Sequence, residues 1–156
     1  ARHCVAAPSG TMALFLALKA IGIGNGDEVI VPAMTFIATA NVVEILGATA
    51  VLIDVDPGTL LITPEAVAKA VTARTKAVIP VHLYGQMVDI SALRSAICEA
   101  ATPGQHVYIL EDCAHCFEGT LNGIRPGRYS DAAAFSFYAT KNVTCGEGGA
   151  IRRALI

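Results

Sequence analysis

The regular exchange of two periodicities most constrains what this chain can fold into. Short runs rich in β-branched residues, Glu28–Pro32, Thr49–Val55, Lys76–Val81 and Val107–Glu111, are separated by stretches of helical spacing. These runs are short and nearly continuous in apolar character, so they read as strands buried on both faces. Helices are predicted over Met12–Ile21, Phe36–Leu46, from Thr63-Pro64-Glu65 onward, and from Asp89 or Ser91 to Ala101. Thr63 supplies a cap, Pro64 suits a first helical position because it has no N–H to satisfy, and Glu65 sets an acid against the positive end of the helix dipole. Ser9 and Thr11 stand where the first helix should be capped. Two more strands follow, Ala132–Phe137 and Gly149–Ile151, with Lys141 in the loop between them. Strands alternating with helices in this way predict an α/β fold of three layers, a mostly parallel sheet with helices on both faces. Ligands on such sheets bind beyond the carboxyl ends of the strands.

Composition narrows the class. With 54% hydrophobic and 15% charged residues, 156 residues can bury a full core and are neither a disordered tail nor a coiled coil. The mean hydropathy of +0.56 is high for a freestanding domain, so part of the surface is expected to be covered by something else. The longest uncharged stretch, Val29–Val43, is broken by Pro32, Thr35, Thr39 and Asn41 and falls short of the roughly 20 residues that span a bilayer. Ala1-Arg2-His3-Cys4 lacks an initiator Met and a charged region followed by an apolar stretch, so no signal peptide is expected. The net charge of −2, with lysines and arginines dispersed, offers no basic stripe for nucleic acid or an anionic membrane, which leaves small molecules as the expected partners. Five cysteines at irregular spacing form no disulfide framework and point to reduced thiols in the cytoplasm.

Three segments carry candidate chemistry. Ala7-Pro8-Ser9-Gly10-Thr11 leads into a helix, where free amides and the hydroxyls of Ser9 and Thr11 could hold a phosphate; the alternative is an ordinary cap. Glu111-Asp112, with His115 three residues on, follows a buried strand and lies at the carboxyl edge of the sheet. A carboxylate there could pair with a cationic ring nitrogen, or could simply cap a helix. Lys141 lies in a loop just past a strand, flanked by uncharged residues, whereas Lys19, Lys69 and Lys76 fit helix surfaces or strand ends. A partly desolvated amine loses basicity and can attack a carbonyl; the alternative is a solvated loop lysine. An anion cradle, a carboxylate and a nucleophilic amine are the three parts that a pyridoxal-phosphate site needs.

The same segments resemble the DegT/DnrJ/EryC1/StrS family of sugar aminotransferases, of the aspartate-aminotransferase fold type. The matching residues are Ser9-Gly10-Thr11, Gly26-Asp27-Glu28-Val29 with Thr35-Phe36, Pro80-Val81-His82-Leu83-Tyr84-Gly85, Glu111-Asp112 with His115, and Phe135-Ser136-Phe137 through Lys141-Asn142 to Gly146-Glu147-Gly148-Gly149. They run in family order along nearly the whole chain. The resemblance implies pyridoxal 5'-phosphate as cofactor, with Lys141 as catalytic residue, joined to it as a Schiff base and later moving a proton. By the same carry-over Asp112 faces the pyridinium nitrogen, Gly10, Thr11 and Ser136 bind the phosphate, Phe36 lies against the ring and His115 stands beside it. It further implies transfer of an amino group, usually from glutamate, to a keto group of a nucleotide-linked deoxysugar, in the making of polysaccharide, lipopolysaccharide or antibiotic. Residues 1–156 would be part of the large, cofactor-binding domain, without the preceding segment and C-terminal small domain of full-length members, which typically form homodimers. Such a piece alone is expected to be inactive.

Two other readings stay open. One is a non-catalytic remnant that only binds the cofactor or another phosphate. The other is a thiol–disulfide protein, because Cys113-Ala114-His115-Cys116 has C-x-x-C spacing after a strand. No metal site is expected, since no second clustered pair of ligands accompanies these cysteines. Gly22-Ile23-Gly24-Asn25-Gly26 follows a helix and precedes a strand, the reverse of a dinucleotide fingerprint, and is predicted to be a turn. His82 and Tyr84 are expected to pack and hydrogen-bond around Gly85.

Overall fold

The computed structural model describes residues 3–153. Seven strands alternate with four helices: β1 (His3–Ala7), α1 (Gly10–Ala20), β2 (Glu28–Pro32), α2 (Ala38–Ile45), β3 (Thr49–Ile53), α3 (Pro64–Ala70), β4 (Thr75–Val78), α4 (Ile90–Ala100), β5 (Tyr108–Asp112), β6 (Ala132–Ser136) and β7 (Gly149–Arg153). The strands form one sheet in the order β1-β7-β6-β5-β4-β2-β3. Pairing is parallel from β3 through to β6, and β7 runs antiparallel to both its neighbours. The fold is α/β with a mostly parallel sheet, as the alternation predicts. None of the helices is long and apolar enough to cross a membrane, among the described residues.

Strand alternation divides the core into two layers. Val29, Val31, Ala77, Ile79 and Leu110 point to one face, where Ala13, Leu14, Ala17 and Leu18 of α1 and Val42 and Val43 of α2 cover them. Ile30, Val78 and Ile109 point to the other, under Val67 of α3 and Ile90, Leu93 and Ile97 of α4. Continued past Leu110, the same period of two sends Asp112 to the α1 face and Glu111 to the α4 face. The acidic pair that reads as one feature in sequence is therefore split across the sheet.

Several boundaries differ from the sequence expectation. β1 lies in a segment read only for its lack of a leader. Four of its five residues are exposed, so no apolar pattern marks it, and backbone pairing with β7 makes it a strand. β4 ends at Val78 because Pro80 cannot donate to a ladder, and Val81 keeps only an isolated bridge to Asp112. α1, although almost wholly apolar in sequence, leaves Thr11, Leu16, Lys19 and Ala20 exposed, because it packs on the sheet by one side only. Gly22 and Gly26 take positive φ values of 77° and 88° in the turn between α1 and β2, where Asp27 Oδ2 accepts the Gly24 N–H at 2.9 Å.

One glycine couples this frame to the site. A Cβ on Gly149 would lie 2.5 Å from the Ser9 carbonyl carbon and oxygen and 2.8 Å from the Phe135 oxygen, all backbone atoms that cannot swing away. Gly149→Ala is expected to cost about 1–3 kcal/mol of stability from overpacking. Chemical denaturation would show a lower midpoint at unchanged slope; an unchanged midpoint would mean that β7 and the entry to α1 are not in contact.

Candidate active site

α1 begins where β1 leaves the sheet. Ser9 caps it: its Oγ accepts the Met12 N–H at 3.2 Å and its carbonyl accepts the Ala13 N–H at 3.0 Å. The amides of Gly10 and Thr11 precede any carbonyl the helix could offer them, and they carry the positive end of its dipole. A Cβ on Gly10 would stand 2.7 Å from Ser136 Cβ, so only glycine lets this helix start meet the end of β6. The two amides and the Ser136 hydroxyl thus converge on the same place.

They line a cavity of about 490 Å³ at the carboxyl ends of β5 and β6. Gly10, Thr11, Phe36, Asp112, His115, Ser136 and Lys141, widely separated in sequence, all open onto it. Its volume is in the range of small-molecule sites. A larger, more open groove of about 730 Å³, lined by Phe117, Phe135 and Phe137 together with arginines, holds none of these seven.

Asp112 is buried, with 5% of its surface exposed. Its Oδ1 accepts the Ala114 N–H at 3.0 Å and its Oδ2 accepts the Thr39 hydroxyl at 3.0 Å. Burial pushes this carboxyl above the ordinary aspartate range; the two hydrogen bonds and the nearby His82 and His115 rings pull the other way. His115 is shifted down, first by burial and then by the positive charge of Lys141, with Asp112 pulling the other way. It stacks on Tyr84 at a centroid distance of 5.5 Å and an angle of 9°. Tyr84 is 68% exposed and holds the left-handed conformation at φ 53°, uncommon for a residue with a side chain.

Lys141 sits in the loop that joins β6 to β7. That loop is tied at its base by the Phe137 N–H to Gly148 O bond at 2.8 Å, and the Lys141 N–H donates to Tyr138 O at 2.9 Å. The lysine is half-buried at the cavity wall, not free in solvent. Phe36, 72% exposed, presents its ring at the cavity mouth just before α2.

Behind the cavity, on the opposite face, His82 Nε2 lies 2.6 Å from Glu111 Oε2, both side chains fully buried. The Val88 N–H donates to His82 Nδ1 at 3.0 Å, which puts the proton on Nε2 and directs it to Glu111, and Glu111 Oε1 accepts the Gly127 N–H at 2.8 Å. Cys113 stands close to this pair. A metal bound there would need the ring nitrogen that carries the proton, so the cluster reads as a structural clamp. His82 therefore bonds to Glu111 and to the Val88 amide, and Tyr84 packs on His115, a more specific outcome than packing around Gly85.

The thiol reading does not survive the geometry. Cys113 and Cys116 are each 2% exposed. Burial and the neighbouring carboxylates push the Cys113 thiol well above its ordinary range, and burial raises Cys116 as well. A redox pair needs an accessible thiol of lowered pKa.

Sequence reasoning assigned no role to Thr39, whose hydroxyl bonds to Asp112, or to Glu147, which lines the cavity. A threonine near a helix start carries no distinguishing signal in one sequence, because the carboxylate it meets lies far along the chain.

The model of the DegT/DnrJ/EryC1/StrS aminotransferase family matches residues 1–153. The spore coat polysaccharide biosynthesis protein SpsC of Bacillus subtilis (strain 168) is 50% identical over 149 residues, 96% of this chain and 37% of SpsC. The crystal structure of 3-amino-5-hydroxybenzoic acid synthase superposes with a TM-score of 0.89 at 46% identity, over 97% of this chain and 38% of that one. The PLP form of the sugar aminotransferase Spr1654 from Streptococcus pneumoniae gives a TM-score of 0.90 at 34% identity, over 98% and 42%. The chain thus spans well under half the length of these relatives.

Proposed function

The chain belongs to the DegT/DnrJ/EryC1/StrS aminotransferase family, and from that premise we propose that it is the cofactor-binding part of a pyridoxal-phosphate-dependent sugar aminotransferase. The observation that carries this reading is the meeting of Lys141, Asp112 and the α1 amides at one cavity. The residues fit the group. Two amides at a helix start and a hydroxyl suit a phosphate, a buried carboxylate suits a cationic ring nitrogen, and a half-buried amine suits an aldehyde.

When bound, pyridoxal phosphate supplies an aldehyde that joins amines and a cationic ring that draws electrons from the adjacent carbon. The amides of Gly10 and Thr11 and the Ser136 hydroxyl anchor the phosphate. Phe36 covers one face of the ring and keeps water from it. Asp112, ionised, holds the proton on the ring nitrogen. Lys141 Nζ would hold the aldehyde and would be the group placed to move a proton at the substrate carbon. His115, stacked on Tyr84, lines the same cavity.

The amino donor is glutamate and the acceptor a keto group on a nucleotide-linked deoxysugar, by extension from the family; the enzyme works in the cytoplasm as a homodimer. SpsC and Spr1654 support an acceptor of the sugar class. In the full-length protein, glutamate with a panel of nucleotide-linked keto sugars is expected to give 2-oxoglutarate and an amino sugar, followed by mass spectrometry. Transfer only to sugars lacking the nucleotide would overturn the proposed acceptor, and no transfer to any keto sugar would overturn the class.

A further inference from the structure

The Asp112 carboxylate makes no ion pair with a lysine or arginine among the described residues, and its side chain has two hydrogen-bond donors, the Ala114 amide and the Thr39 hydroxyl. An ionised carboxylate accepts and cannot donate, so the single proton of the Thr39 hydroxyl is directed at Asp112 Oδ2. Thr39 Oγ1 also lies 2.8 Å from Thr35 Oγ1. With the Thr39 proton committed, Thr35 must be the donor of that second bond. The relay therefore has one direction, Thr35 to Thr39 to Asp112, and each link polarises the next.

Burial separates the two threonines in role. Thr39 is fully buried in the first turn of α2, while Thr35 is half-buried and lines the cavity beside Phe36. Thr39 sends its hydroxyl from the first turn of α2 to a strand 73 positions along the chain. Valine would fill the same volume, so packing alone does not call for an oxygen here.

The geometry points to Thr39, backed by Thr35, as a positioning residue that keeps Asp112 ionised and aims its carboxylate into the cavity. This rests on the proposed pairing of Asp112 with the cofactor ring nitrogen. The other charged or titratable groups around Asp112 are His82 and His115, and Lys141 and Glu147 on the cavity wall. Glu111, next along β5, is engaged with His82 and Gly127 on the other face. α1 and α2 contribute no charged side chain to the cavity. Against burial, then, the threonine hydroxyl is one of few forces that hold the charge in place.

The test uses the full-length protein. The carboxyl stretching band is titrated by infrared spectroscopy in cofactor-free protein and assigned to Asp112 by its loss in Asp112→Asn. Thr39→Val is expected to move the midpoint to higher pH and to weaken pyridoxal phosphate binding about tenfold or more, as for loss of a hydrogen bond to a charged group. Thr35→Val should move it in the same direction by less, and Thr39→Ser, which keeps the hydroxyl, should restore the wild-type midpoint. A Thr39→Val titration that superposes on wild type, or a Thr39→Ser variant that behaves like valine, overturns the relay. Should Thr39→Val fail to fold, an unmoved midpoint in Thr35→Val does the same. The infrared measurement needs no cofactor, so the two levels separate: absence of a borohydride-trapped adduct on Lys141 in wild type defeats the assignment of Asp112, whereas a trapped adduct with unmoved midpoints defeats only the relay.

Discussion

Lys141→Ala is expected to abolish covalent retention of pyridoxal phosphate and to lower amine transfer by about a thousandfold or more, the range of a lost general acid–base group that is also the nucleophile. The reason is local. Among the described residues Lys141 is the one lysine on the cavity wall, on a loop tied at its base by the Phe137–Gly148 bond. Lys141→Arg keeps the positive charge but supplies a guanidinium that cannot be deprotonated, so it should fail equally. Borohydride reduction followed by peptide mapping reads the outcome directly: the added mass lies on the peptide containing residue 141 in wild type and on no peptide in either variant. An adduct on Lys19, Lys69 or Lys76, or full turnover by the arginine variant, would remove Lys141 from the mechanism.

Asp112→Asn should separate function from stability. Loss of the charge opposite the ring nitrogen removes one partner of a buried charge pair, worth about 2–5 kcal/mol, and lowers cofactor affinity and turnover accordingly. The cofactor-free protein should respond in the opposite sense. Burial raises the Asp112 carboxyl in the folded state, so the folded protein binds this proton more tightly than the unfolded chain does. Stability from this group is therefore present at low pH and declines as pH rises from the unfolded toward the folded value. Asparagine removes the decline, and the variant's advantage in melting temperature should grow with pH across the carboxylate range. A variant less stable than wild type throughout would mean that Asp112 is better solvated in the folded protein than its burial implies.

The parts of this arrangement differ in how far they could be read from residues alone. Strand β2 and the starts of α1 and α3 follow from β-branched runs, caps and a first-turn proline, all local signals. Lys141 stood out because its neighbours carry no charge. β1 was not legible, because its exposed side chains carry no pattern and its structure comes from pairing with β7, which lies far along the chain. Glu111 and Asp112 were legible as a pair but not as two groups with separate tasks, since the division depends on which face of β5 meets α1. The burial of Cys113 and Cys116, which removes them from thiol chemistry, is likewise a matter of packing.

The amino-acid order by itself determined the alternation of strands and helices and the residue types able to hold an anion, a ring nitrogen and an aldehyde, because these follow from propensities and spacings within a few residues. Only the tertiary structure decided that Thr39 reaches Asp112, that His82 clamps Glu111 away from the cavity and that Lys141 opens onto the same space as the α1 amides. Those contacts join segments distant along the chain, and the geometry that brings them together arises when the two layers of apolar side chains close on opposite faces of one sheet.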